Sequence, residues 1–421
     1  VYSAHPLRLL RALGHLSLVV CCLGLIGCGE EEAGSLEIDT VLESEFTDIN
    51  PQSSDLLRQL VDAYLQQIEI DFNTVTSKLM QLQSAIDIFL ASPNTETMDV
   101  ARSVWLDTHS AYELTALHRY FTSLIVSEQQ SLALLQNQYR LNHWPILPGY
   151  IDYVEALADS GIVNDITVTL NGTALRQQHG AFELAEAALG FHVLEFLLWG
   201  ENQVSGQLRS ASDYNQISQL STAQADSGLD ISQLSNNRRR EYLRLASQAL
   251  IDDFQSIQLL WADGDAVFRN RIVSLQSTEL LTLLLEASIS MLTEEILLRS
   301  LYPLLNGDYS SSIQSPYSHS TQNAISAQLY GVEQLLLEVK TNSGATLDSI
   351  LVNLSVDFEE LFYQSFDATK ECLVLLYSTL APPTEPGASL QTEFEIVECI
   401  NLLSNMIDSL EQIEISLTDS I

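Results

Sequence analysis

From Leu56 onward, apolar residues return at three- and four-residue steps: Leu56, Leu57, Leu60, Val61, Tyr64, Leu65 and Ile68. That is the period of an amphipathic helix, not of a strand. Ser53-Ser54-Asp55 supplies capping side chains at its start, and the spacing predicts a helix to about Leu90, broken by Ser92-Pro93-Asn94. A second helix starts at Thr95-Glu96-Thr97 and runs through Trp105 and Tyr112 to Leu117. The Pro- and Gly-bearing stretch Asn142–Tyr150 interrupts the pattern, and Asp165–Leu170 (DITVTL) is a short β-like run read as a loop. A helix is predicted from about Thr173 to Trp199, followed by a Ser-, Gln-, Asn- and Gly-rich segment over 201–235. Long helical patterns then cover about 237–262, 274–305, 319–342, 346–380 and 389–418. The expectation is an all-α fold of two related helical bundles of about four long helices each, residues 53–200 and 236–421, joined by the polar linker 201–235.

The N-terminus reads differently. His5, Arg8 and Arg11 precede the apolar run Leu13–Gly27. Its roughly 15 residues would reach about 22 Å as a helix, short of a ~30 Å hydrocarbon core, so residues 1–27 read as a signal peptide and not as a spanning helix. The run closes on Leu25-Ile26-Gly27-Cys28, which is similar to a bacterial lipobox, in which the cysteine becomes the lipidated first residue of the mature chain. Residues 28–52, opening with Gly29-Glu30-Glu31-Glu32, follow as a flexible acidic tether. The expected location is therefore outside the cytoplasm on a lipid anchor. Gly29 after the cysteine, in place of an aspartate, favours the outer membrane, facing the periplasm or the cell surface.

Charge narrows the partners. The formal net charge of the 421-residue chain is −37, and losing Arg8 and Arg11 with the signal segment, which carries no acid, makes it −39. Lys78, Lys340 and Lys370 are the only lysines. Such a polyanion is repelled by nucleic acid and by anionic lipid surfaces. No nucleotide cofactor is expected, and cations are the natural small partners. Cys21 and Cys22 leave with the signal segment, so the body keeps Cys372 and Cys399, one in each of two consecutive C-terminal helical segments. In an oxidising compartment these form one disulfide or stay as two buried thiols. Neither belongs to a CxxC pair, so redox and zinc-finger chemistry has no support.

One stretch carries candidate chemistry. In Ala187–Trp199 (AALGFHVLEFLLW) apolar residues surround the helix axis, which predicts burial on all sides, and only His192 and Glu195 are ionisable. At i, i+3 they share a face, with Trp199 one turn on. Unpaired buried charge costs several kcal/mol, so both need partners. Gly190, unfavourable within a helix, implies close backbone packing or access to a site. Three readings stay open: a core His–Glu hydrogen bond or a Glu–Arg pair, two ligands of a metal site, or a hydrolytic centre. For hydrolysis the pattern is thin, because Phe196 stands where an HxxEH motif has its second histidine.

The segment Gly190-Phe191-His192-Val193-Leu194-Glu195, continuing to Trp199-Gly200, resembles the GxHxxE signature of the imelysin family. His143-Trp144-Pro145 with Tyr150–Val154, including Asp152, resembles the segment before that signature. Arg209 with Asp213-Tyr214, Arg238–Leu243 leading to Asp252-Asp253 and Trp261, and Ser315–Thr321 running into Gly331 follow in family order. The resemblance implies an exported or lipid-anchored helical protein with two related bundles, associated with iron uptake and once classed with insulin-cleaving peptidases. It implies that His192 and Glu195 contribute to a site for iron or another divalent metal, free or as a chelate. By family position Gly190, Trp199, Asp152, Arg209, Asp213, Tyr317 and Ser318 line or support it, with capping or packing roles equally open. One departure stands out. Four residues after Trp105, where the family tends to have arginine, this chain has His109, and Glu113 falls out of the usual register. His109 is either a ligand or a core or surface histidine. Metal binding or iron uptake is the leading expectation; a metal-dependent peptidase and a non-catalytic adaptor for an outer-membrane transporter are the alternatives.

Overall fold

The computed structural model describes residues 51–201, 208–261, 266–353, 362–380 and 390–419; the signal segment, Cys28 and the tether up to residue 50 lie outside the described residues. The long helices are α1 (Pro51–Ala91), α2 (Thr95–Leu114), α3 (Ala116–Ile125), α4 (Glu128–Asn142), α5 (Phe191–Trp199), α6 (Ser235–Trp261), α7 (Ser277–Met291), α8 (Thr321–Glu333), α9 (Gln364–Thr379) and α10 (Leu390–Asp419). Short helices and turns fill the connections, and no β-ladder occurs among the described residues beyond an isolated bridge between Val154 and Leu157. The protein is all-α, as the periodicity predicts, and Asp165–Leu170 is a loop.

Local chemistry sets the boundaries. Pro93 ends α1, and Asn94 caps α2 by accepting from Thr97 N at 3.0 Å while Thr97 Oγ1 accepts from the Asn94 amide. Ser127 and Gln130 form the same reciprocal box at the start of α4. The α1–α2 connection is short, so the two pack as an antiparallel hairpin. Along α1 the buried face runs Leu57, Leu60, Tyr64, Ile68, Phe72, Val75, Leu79, Leu82, Ile86 and Phe89, continuing the step of three and four. At Thr115 the α2–α3 junction bends, with Thr115 Oγ1 (2.7 Å) and Arg119 Nη1 (2.6 Å) both donating to Tyr112 O.

The described residues, from Pro51 onward, pack as one compact unit. Helices from either side of the polar 201–235 segment lie directly against one another: α6 on α1, α7 on α3, and α8 on α2, while α9 and α10 pair at the C-terminus. Cys372 of α9 and Cys399 of α10 are joined by a disulfide, with Cα atoms 5.5 Å apart. Among the described residues no helix is long and apolar enough to cross a membrane.

Three predicted elements differ. The helix expected over 173–199 is two pieces, Gly172–Gln178 and α5, separated by turns through residues 179–190. Gly180 and Gly190 have φ of +67° and +113°, incompatible with a continuous right-handed helix, and His179 Nδ1 accepts from Ala188 N and Leu189 N at 3.2 Å, holding the turn. The fully buried helix therefore starts at Phe191, not Ala187. The pattern over 274–305 holds as helix, but Leu292–Leu301 is wound as a π-helix. The 346–380 pattern is seen as Leu347–Asn353 and α9, with 354–361 outside the described residues.

Candidate functional site

Helix α5 is the buried centre of the site. Every residue from Phe191 to Trp199 is buried, and six apolar side chains (Phe191, Val193, Leu194, Phe196, Leu197, Leu198) are fully so. Each contributes roughly 1.5–3 kcal/mol by leaving water. A helix end in such surroundings needs partners for its last carbonyls, and side chains and one backbone amide from other elements supply them. Arg102 of α2 donates to Leu198 O (3.1 and 2.8 Å), Tyr214 Oη to Leu197 O (2.6 Å), and Arg209 N to Trp199 O (2.8 Å). Trp105 Nε1 donates to Phe191 O at 3.0 Å. Gly190 caps the other end, and a Cβ there would stand 2.7 Å from Arg140 O, so this glycine is required by close approach as well as by its φ.

His192 and Glu195 meet on the buried face: His192 Nδ1 lies 2.9 Å from Glu195 Oε2. The other carboxylate oxygen accepts three donors from the 312–320 segment, Tyr317 N (3.0 Å), Ser318 N (2.7 Å) and Ser318 Oγ (2.7 Å). A carboxylate accepts, so Nδ1 is the protonated nitrogen of His192 and Nε2 carries the bare lone pair. Burial lowers the His192 pKa, against the raising effect of Glu195, which keeps the ring neutral. That leaves Nε2 buried with no hydrogen-bond partner. The pair thus does not converge on a common point. Glu195 stands behind the imidazole and fixes its tautomer, the arrangement of a carboxylate–histidine–metal relay.

A second histidine faces the first. His109, expected as either ligand or ordinary core residue, is 2 % exposed, and its ring centroid lies 5.2 Å from that of His192 at an interplanar angle of 81°. Trp105 stacks on it at 4.8 Å. His109 Nε2 lies 3.2 Å from both Glu113 Oε1 and Asn142 Oδ1. Glu113 is caged: Asn142 Nδ2 (2.5 Å) and Gln314 Nε2 (2.7 Å) donate to Oε1, Gln328 Nε2 (2.8 Å) to Oε2, and Arg119 Nη2 is 3.7 Å away. Desolvation alone would raise its pKa, but the His109 bond and charge, Arg119 and Gln328 outweigh it and hold the group at about 2. Glu113 is therefore a permanent anion. At the edge of this region, burial first and then the nearby Arg299 guanidinium depress His143 to about 3, and Trp144 Nε1 is buried without a partner.

The remaining expected residues form a different structure. Asp152, fully buried, accepts from Arg209 Nη1 (2.7 Å), Arg239 Nε (2.5 Å), Arg239 Nη2 (3.0 Å) and Tyr153 N (2.8 Å). Asp213 accepts from Tyr153 Oη at 2.6 Å and lies 3.8 Å from Arg209. This knot meets α5 through the Arg209 guanidinium, 5.2 Å from the Phe196 ring, and not through His192 or Glu195. Trp199 closes the end of α5 against Trp105 (5.4 Å) and Arg102 (5.8 Å). Of the residues expected together, Ser318 touches Glu195, His109 faces His192, and Asp152, Arg209 and Asp213 hold the fold beside them. Sequence reasoning missed Asn142, Gln314 and Gln328, amides whose role depends on a carboxylate more than 200 positions from the last of them. It also missed Arg239, whose only signal was its place in an Arg-Arg-Arg run.

The family model of imelysin, a peptidase M75 family, matches residues 71–380, about three quarters of the chain. This chain belongs to the imelysin family. Its fold is similar to a crystal structure from Parabacteroides distasonis assigned as an iron-regulated protein A precursor, with a TM-score of 0.58 over 89% of this chain and 97% of that one, at 13% identity. No curated protein sequence matches the chain.

Proposed function

We propose that this imelysin-family protein is exported, held at the outer membrane by a lipid on Cys28, and binds iron or another divalent metal for uptake through His192. The single observation carrying the metal reading is the His192 Nε2 lone pair, buried, unpartnered, and set in its tautomer by Glu195. A neutral imidazole whose other nitrogen donates to a carboxylate is the usual metal-ligating form of histidine. The residues fit a metal through that nitrogen, with Glu195 supporting from behind. Among the described residues no cluster of three or more His, Cys, Asp or Glu side chains could hold a metal ion. The fold relative described as iron-regulated supports iron as the first metal to test.

A peptidase would need a metal-bound water and a general base. Glu195, the nearest candidate base, already accepts four hydrogen bonds, so the geometry favours binding over hydrolysis. An adaptor for a transporter would leave the lone pair without a purpose.

The test is iron binding by the purified chain, as salt and as chelates, beside His192→Ala, with circular dichroism on both. Near-stoichiometric binding lost in a folded His192→Ala is expected. Absence of binding in wild type, or equal binding in the variant, contradicts the reading. For the anchor, cells fed labelled fatty acid should label the wild-type chain and not Cys28→Ser.

A further inference from the structure

We infer that residues 313–320 form a strap closed over the His192–Glu195 pair, and that its opening is the way in to His192. Its purpose as a gate rests on the metal reading of His192; its motion does not. His192 and Glu195 are 1 % and 0 % exposed, so nothing from solvent reaches them unless a cover moves. The thinnest cover lies over Glu195. There a single half-buried residue, Ser318, stands between the carboxylate and solvent, and it bonds that carboxylate directly through its amide and its hydroxyl, both at 2.7 Å.

The strap is held differently from the helices around it. Its residues are turns leading into α8 and belong to no helix. One end is fixed where Ser300 Oγ donates to Ser312 O at 2.7 Å. Beyond that point two glutamates grip it: Glu195 accepts from Tyr317 and Ser318, and Glu113 accepts from Gln314 Nε2. The Tyr317 ring adds an edge contact to Phe196 at 5.1 Å. These ties can break together without unwinding a helix, which is the character of a locally opening unit. Two features of the closed form work against them. His319, exposed and next to Ser318, is held at φ +55°, the one non-glycine residue in the left-handed region among the described residues. Ser315 Oγ is buried with no hydrogen-bond partner. Opening relaxes His319 and wets the Ser315 hydroxyl at the same time. The ties end on the carboxylate that orients His192 and on the one bonded to His109, so the strap releases both supports when it lifts.

The test follows the strap and His192 separately, and neither readout needs a metal. Amide hydrogen exchange at Tyr317 and Ser318, with the α5 amides as reference, measures opening. Diethyl pyrocarbonate, which acylates an unprotonated imidazole nitrogen, measures access to His192 by peptide mass. In the folded wild-type chain Tyr317 and Ser318 should be at least about tenfold less protected than α5, and His192 should be acylated. Ser318→Ala, which removes one tie to Glu195, should raise both rates about tenfold. Ser315→Ala and His319→Gly, which remove the two features opposing closure, should each lower both rates roughly threefold to tenfold. The α5 amides should not change. These opposite signs separate a strap from general loosening, which would raise the rates in every variant. Tyr317 and Ser318 as protected as α5, or acylation of His192 indifferent to the three substitutions, overturns the strap and leaves the metal reading standing. Iron binding absent from a chain whose strap opens as described overturns the metal reading and leaves the strap.

Discussion

Two buried charged clusters flank the same helix, and they are built on opposite principles. Around Asp152 the carboxylate is matched by two guanidiniums, and its four hydrogen bonds all come from within the chain. One donor, Arg209 Nε, is left over, and the guanidinium lies against the Tyr153 ring at 4.6 Å and the Phe196 ring at 5.2 Å. That cluster is closed: it tethers the 152–153 turn, the 209–214 segment and α6. Around His192 two carboxylates are equally well satisfied, but each spends a bond orienting an imidazole, and the outcome is a bare ring nitrogen in an apolar interior. A carboxylate matched by two guanidiniums builds stability, whereas the pairing that ends on the His192 lone pair is the one proposed to bind.

The difference sets the order of expected effects. The largest is Asp152→Asn, which leaves Arg209 and Arg239 buried without their counter-charge; a loss of about 3–5 kcal/mol in urea unfolding is expected, and an unchanged midpoint would mean the knot is not structural. Next is acid. Glu113 ionises at about 2 in the folded chain against 4.5 unfolded, so it is more acidic when folded. Its contribution is complete above about pH 4.5 and is lost as pH falls towards 2, on the order of 3 kcal/mol. The depressed pKa values of His143 and His179, about 3 and about 4, start the loss earlier, below 6.5, because the unfolded chain takes up protons there first. Glu113→Gln should flatten the stability–pH curve between 4.5 and 2; an unaltered slope contradicts the caged-anion account. Gly190→Ala follows, at about 1–3 kcal/mol, from the strained φ of +113° and the clash with Arg140 O. Smallest in stability should be His192→Gln, about 1–2 kcal/mol, since it removes one hydrogen bond to a Glu195 carboxylate that keeps its three other donors, yet it should abolish iron binding. A large stability loss with intact binding would exchange the roles of the two clusters.

Much of this arrangement was legible in the sequence, for identifiable reasons. The buried face of α1 follows from its apolar step alone, and His192 and Glu195 stood out as the only ionisable groups in Phe191–Trp199. Gly180 and Gly190 carried the signal that breaks the 173–199 helix, but helical periodicity on both sides masked it. That Asp152 pairs with Arg209 and Arg239 could not be read, because a salt bridge between residues 87 positions apart leaves no local pattern. The orientation of Glu195 was likewise hidden: i, i+3 spacing suits co-ligation and hydrogen bonding equally, and the Ser318 and Tyr317 amides that decide between them belong to a distant loop. His109 was visible as a departure from the family pattern, whereas its proximity to His192 needed three dimensions.

The most direct test of the central claim is nitrogen NMR of the histidine rings in the metal-free protein, with His192 assigned by comparison with His192→Gln. The account predicts a neutral His192 ring protonated at Nδ1, with an unprotonated Nε2 whose signal alone among its ring nitrogens is lost or strongly shifted when ferric nitrilotriacetate is added. A His192 ring protonated at Nε2, or one unaffected by the chelate, would contradict it.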